Sequence, residues 1–235
     1  TSLQYFSFRK GTRIHIPFGA AGTCKVTVYG EAETSKQHIF YCGQNREIKT
    51  LKDAISVAEE HMDSILYVDS GVYDLIEEFG MEFFDSLTSA NVMSGLQLKN
   101  RIHIIFSPNS KVTSHYSGTN QYAQSLYSPF NTGKYGFTIE NLTLECSRCR
   151  YGVHDELNGA VEQSQSIYKN CKITIDNSTN DYWSVSTCIG GGLGSNTNVV
   201  VENCMFATDD ADSRGGVYYH NSNKTAVKDF CSRVI

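Results

Sequence analysis

"KNCKITI" at residues 169–175 joins a charged residue and an asparagine to a strand of alternating apolar side chains. The phrase returns on both sides, as "ENLTLEC" at 140–146, "ENCMF" at 202–206 and, with Asp in place of Asn, "KDFCSRV" at 228–234. The markers Asn141, Asn170, Asn203 and Asp229 are 29, 33 and 26 residues apart. A unit of that length, made of short strands and polar loops of varying size, cannot bury its apolar face alone and does so by stacking on its neighbours. A β-sandwich would show hairpin turns about every 8–12 residues instead. The spacing therefore predicts an all-β solenoid of stacked strand coils.

Working back toward the start, the period changes. In "TLKDAISVAEEHM" the residues Leu51, Ala54, Ile55, Ala58 and Met62 share one face of a helix, predicted over about 50–62. Thr50 suits the N-cap, and Asp53 the capping-box position. A strand, a turn and a second short strand follow in "SILYVDSGVYDL", and helical spacing resumes through Leu75, Phe79, Phe83 and Leu87. Residues 12–42 alternate in short runs, predicting a small β-rich appendage over 1–46 ahead of the main domain at 47–235.

"TLKDAISVAEE" followed by "ILYVDSGVYDL", and the Asn-marked strands after it, resemble the N-terminal cap, first coil and later coils of the pectate-lyase-like superfamily. The resemblance covers about residues 49–235. It implies a right-handed parallel β-helix with an N-terminal capping helix, and a function among polysaccharide lyases, glycoside hydrolases and phage tailspikes. The Gly-His-Gly of the polygalacturonases and the full pectate-lyase signature are absent, so the family chemistry does not carry over residue by residue.

Composition narrows the classes of partner. Abundant Tyr, Phe, Val, Ile and Thr with only 3 prolines suit strands. A net charge of −5 with no long basic run argues against a nucleic-acid surface, and no apolar stretch is long enough for a membrane-spanning helix. Among the 8 cysteines, Cys146 and Cys149 form a C-x-x-C with no partner at zinc spacing. No metal and no cofactor are expected, and the thiols are read as buried and reduced. The start without Met and the end at "FCSRVI", with no polar cap, suggest a piece of a longer protein.

A second repetition points to a site. "RYGVHDE" at 150–156 is echoed by "RGGVYYH" at 214–220, with the glycine run "CIGGGLG" at 188–194 between them. Stacking Val153, Ile189 and Val217 as core residues, with Leu142, Leu144, Ile173 and Ile175, turns His154, Gly190 and Tyr218 outward in one row and Glu156, Gly192 and His220 in the next. The glycines would floor a trough walled by His154, Glu156, Tyr218 and His220. Arg150 and Arg214 stand at its lip, and Asp210 lies in the acidic loop ahead of Arg214. His and Glu can exchange protons near neutral pH, Tyr can stack on a sugar ring, and Arg can clamp a uronate. His154, Glu156 and His220 are thus the candidate catalytic residues, and Arg150, Gly190, Gly192, Tyr218, Arg214 and Asp210 the candidate substrate contacts. Asp155 is awkward, since alternation points it inward, where it needs hydrogen bonds or serves to orient His154.

Two classes of function follow. One is an enzyme cleaving a polysaccharide, acidic or neutral, as a lyase or glycoside hydrolase. The other is a non-catalytic glycan-binding module of tailspike or adhesin type, a homo-oligomer and a trimer if tailspike-like, or a plain structural shaft. A glycan-acting protein of either class would work outside the cell or on a virion or cell surface.

Overall fold

The computed structural model describes residues 37–133, 135–157, 164–179, 182, 186–193, 197–209 and 215–221. The expected appendage up to residue 36 and the expected strand at 228–234 lie outside them. The first strand, β1 (Ile39–Cys42), pairs in parallel with residues Ile65–Val68 and so belongs to the main sheet system, although it falls within the stretch expected to stand apart.

Helix α1 (Leu51–Ala58) begins where capping chemistry places it. The Thr50 hydroxyl accepts from the Asp53 N–H at 3.2 Å and donates to the Asp53 carboxylate at 2.7 Å. The next two orphan amides, of Leu51 and Lys52, donate to the two oxygens of Glu78 at 2.9 and 2.8 Å. A carboxylate at the positive end of the helix thus satisfies donors that no local residue reaches. Leu51, Ala54, Ile55 and Ala58 are buried as expected. The helix stops before Met62, which is exposed. Short turns from Glu60 to Val57 and from His61 to Ala58 end it a full turn early.

After α1 the chain passes repeatedly through three all-parallel sheets in a fixed order. The first round is β2 (Ile65–Val68), β3 (Gly71–Asp74) and β4 (Leu96–Leu98). Between β3 and β4 lie the short helices α2 (Leu75–Phe79) and α3 (Met81–Asp85). Gly80, at φ 82°, breaks the single helix expected there. The second round is β5 (His103–Phe106), β6 (Ser110–His115), the short helix α4 (Gln121–Ser125) and β7 (Phe130–Thr132). The third is β8 (Gly136–Glu140), β9 (Thr143–Ser147) and β10 (Tyr151–His154), and the fourth β11 (Ser164–Lys169), β12 (Lys172–Asp176) and β13 (Thr187–Leu193). The fifth is β14 (Thr197–Glu202), β15 (Met205–Asp209) and β16 (Val217–Asn221). Each strand pairs in parallel with its counterparts in neighbouring rounds, a recurrence compatible with a β-helix-like solenoid.

The marker asparagines sit at the bend between the first and second strands of successive rounds. Asn141, Asn170 and Asn203 have φ of 60°, 53° and 51°, a left-handed conformation that Asn tolerates better than most residues. Their side chains form a ladder. The Asn203 amide donates to Asn170 at 2.8 Å, Asn170 to Asn141 at 3.2 Å, and Asn141 to the Phe106 carbonyl at 3.2 Å.

Alternation buries one face of each strand. Leu142, Leu144, Val153, Ile173, Ile175 and Ile189 are all inaccessible to solvent. Val217 departs from its expected place in the core and is 37% exposed. It keeps the predicted pairing with Ile189, but β16 is the edge strand of its sheet among the described residues, so it is covered from one side only.

Candidate functional site

The two Arg-x-Gly-Val phrases occupy equivalent places in the third and fifth rounds, with the glycine strand between them. Val153 pairs with Ile189 and Ile189 with Val217, and His154, Gly190 and Tyr218 follow in the next register position. Gly192 pairs with His220, and the Leu157 amide donates to the Gly192 carbonyl at 2.8 Å, which carries the ladder past the end of β10. This is the register read from the sequence.

On the inner side the phrases are joined by Asp155, which is fully buried. Its Oδ1 accepts from the hydroxyls of Thr132 and Ser166, each at 3.0 Å, and its Oδ2 from those of Tyr168 at 3.1 Å and Tyr219 at 2.7 Å. Burial pushes the carboxyl's pKa up, and the four hydroxyls pull it back. Burial likewise pushes the phenols of Tyr168 and Tyr219 up, so both stay protonated as donors. Tyr219 reaches Asp155 across an intervening strand. Neighbouring strands lie about 4.8 Å apart, so β10 and β16 are separated by roughly 10 Å. A side chain at Gly191, the residue paired with Tyr219, would run into the Asp155 backbone. The glycine therefore clears the path for a tyrosine–aspartate clasp. Alternation places Asp155 inward as expected, but its hydrogen bonds go to these hydroxyls and not to His154.

On the outer side the phrases are joined by Glu156. Its Oε2 lies 3.5 Å from Nε2 of His154 and 4.0 Å from Nε2 of His220, across Gly192. The backbone that presents it is pinned, because the Glu156 N–H donates at 2.9 Å to the same Thr132 hydroxyl that donates to Asp155. The three candidate catalytic residues thus form one group, with Glu156 in the middle. The His154 side chain is largely enclosed, while those of His220 and Glu156 are open to solvent.

The glycine floor is not an open trough. All of β13 is buried, Gly190 and Gly192 included. The ring of Tyr151 lies where a Gly190 Cβ would be, its Cε1 only 2.7 Å from that position. Tyr151 also stacks on His154, with centroids 5.2 Å apart and planes 4° from parallel, and carries the Arg150 guanidinium 4.8 Å from its ring centre. Beneath the site lies the buried ring of Tyr151, where bare glycine was expected. Tyr151 and Thr132 escaped the sequence reading. The absent side chain at Gly190 signalled that something large lies there, but the spacing favoured a ligand over a neighbour. Asn131 is also in the row, paired with His154, and is buried with its Oδ1 unpartnered.

Tyr218 takes its predicted place opposite Gly190. Arg214 and Asp210 lie outside the described residues. Among the described residues no group of three or more His, Cys, Asp and Glu is placed to hold a metal ion, and no helix is long and apolar enough to cross a membrane. Comparison with protein families, with curated proteins and with solved structures finds no match.

Proposed function

We propose that the chain is a right-handed parallel β-helix of the pectate-lyase-like kind and that it cleaves an acidic polysaccharide by β-elimination on the face around Glu156. The fixed order of three parallel sheets and the asparagine ladder support the fold. The observation that carries the chemistry is the single carboxylate, Glu156, held between two imidazoles. An imidazole takes the proton from the carbon beside the uronate carboxyl. The freed electron pair forms the double bond, and the glycosidic oxygen on the next carbon leaves and gains a proton. Glu156 stabilises the imidazolium so formed, and Arg150, above Tyr151, offsets the uronate charge. Hydrolysis by paired acids is less well supported, because it needs a second carboxylate about 5–9 Å from the first and facing the same bond. Asp155, the neighbour in sequence, faces the other way.

The covering of Gly190 by Tyr151, which fills the expected trough floor, favours one other reading: a module that grips a surface glycan without cutting it. Incubation with a panel of acidic and neutral polysaccharides, followed by ultraviolet absorbance of unsaturated product and by direct binding, separates the two. Turnover is expected on a uronate polymer, reduced on the order of 10²-fold in Glu156→Gln and His154→Ala with little change in melting temperature. Binding without product would support the module. Neither binding nor product across the panel, or turnover unaffected by both substitutions, would overturn the proposal.

A further inference from the structure

The pair of cysteines beneath the asparagine ladder has an arrangement that the proposed function does not use. Lys169 pairs with Glu202 and Lys172 with Met205, so Cys171 and Cys204 stand in register in adjacent parallel rounds. Such positions are about 4.8 Å apart, inside the Cα separation of about 4.4–6.8 Å that a disulfide spans. Cys171 is buried, whereas Cys204 is partly open to solvent. We infer that Cys171 and Cys204 are a redox site, in which Cys204 is the attacking thiol, Cys171 the resolving thiol, and a small-molecule disulfide such as glutathione disulfide the oxidant.

The surroundings of the sulfurs divide the roles in that way. The Cys171 backbone N–H points at the Cys204 sulfur at 3.4 Å, while the Cys171 thiol itself turns to the Ile139 and Lys169 carbonyls at 3.7 and 3.3 Å. The neighbouring Cys171 side chain and this N–H lower the Cys204 thiol to about 7, while the neighbouring Cys204 and deeper burial push Cys171 up. A partly exposed thiolate beside a protonated partner is the arrangement of a reactive cysteine and its resolver. The Cys146 and Cys149 sulfurs are also close, 3.4 Å apart, but lack the access to solvent that Cys204 has. Both are buried, and the Asn177 side chain holds the Cys149 backbone by two hydrogen bonds, of 3.1 and 2.8 Å.

The steps balance without a further reagent. The Cys204 thiolate attacks one sulfur of glutathione disulfide, forming a mixed disulfide and releasing a glutathione thiolate, which takes the proton of Cys171. The Cys171 thiolate then attacks the Cys204 sulfur and expels the second glutathione. Two protein thiols are oxidised and one glutathione disulfide is reduced to two thiols. The product staples the fourth round to the fifth.

The test uses the whole folded chain, exposed to glutathione disulfide, alkylated, digested and mapped by mass without reductant. A Cys171–Cys204 cross-linked peptide is expected from the wild type, and one glutathione retained on Cys204 in Cys171→Ser. In the untreated wild type, iodoacetamide labelling of Cys204 should rise with a midpoint near pH 7. At pH 7 it should then run roughly 5-fold faster than for a thiol at the ordinary value of 9.0, the larger thiolate fraction being partly offset by the weaker nucleophilicity of a less basic thiolate. That measurement stands even if Cys171→Ser does not fold. Cys204 left unmodified and unlabelled in the folded wild type, or a cross-link found elsewhere in its place, would overturn the inference.

Discussion

Replacing Asp155 by alanine should lower the unfolding free energy by about 3–5 kcal/mol, because each hydroxyl left inside without an acceptor costs about 1–3 kcal/mol. Four hydroxyls, from Thr132, Ser166, Tyr168 and Tyr219, converge on this carboxylate, and all would lose their acceptor at once. The donors come from β7, β11 and β16, and Asp155 itself follows β10, so the loss would loosen the second to fifth rounds together. Urea unfolding followed by circular dichroism measures the effect. A pH dependence accompanies it. Burial raises the Asp155 pKa, so the folded state holds this proton more tightly than the unfolded state does. Its contribution is therefore complete below the ordinary carboxylate value of 3.8 and declines as pH rises through the raised folded value. In Asp155→Asn that part of the pH profile should be flat.

Gly191→Ala should cost about 3 kcal/mol, at the upper end for overpacking a filled interior. The added methyl would overlap the Asp155 carbonyl, which is backbone and has no rotamer to yield. Gly190→Ala is the informative contrast. Its methyl would stand 2.7 Å from the Tyr151 ring edge, and a ring can swing aside, so the loss should be nearer 1 kcal/mol. Unfolding midpoints of the two variants, measured side by side, check the order. Equal losses would mean that Gly191 is not the position that admits the tyrosine–aspartate clasp.

How far the sequence speaks for itself depends on the range over which each interaction acts. The Asn-marked strands were legible because period-two alternation and a recurring polar residue are local signals, and the ladder from Asn141 to Asn203 follows from stacking them. The alignment of Val153, Ile189 and Val217 was legible for the same reason. The start of α1 was visible in Thr50 and Asp53, but its support by Glu78, 27 residues beyond Leu51, was not. Its early end was hidden because Met62 continues the apolar period that the backbone abandons. At the site, alternation turned Asp155 inward without showing what would receive it. Its partners lie 11, 13, 23 and 64 residues away on three strands, and no periodicity connects them. Gly190 was ambiguous in principle, since a missing side chain makes room equally for a ligand and for the ring of Tyr151.

The central claim is that the repeated phrase is written twice so that β10 and β16 can clasp each other across the glycine strand, through Asp155 and Tyr219 inside and through Glu156 and His220 outside. A double-mutant cycle on Asp155→Ala and Tyr219→Phe, read by urea unfolding, tests it most directly. A coupling of about 1–2 kcal/mol is expected, as for residues in one hydrogen-bonded network, with Tyr219→Phe costing much less once Asp155 is gone. Effects that add to within about 0.5 kcal/mol would contradict it, because residues that do not interact behave in that way.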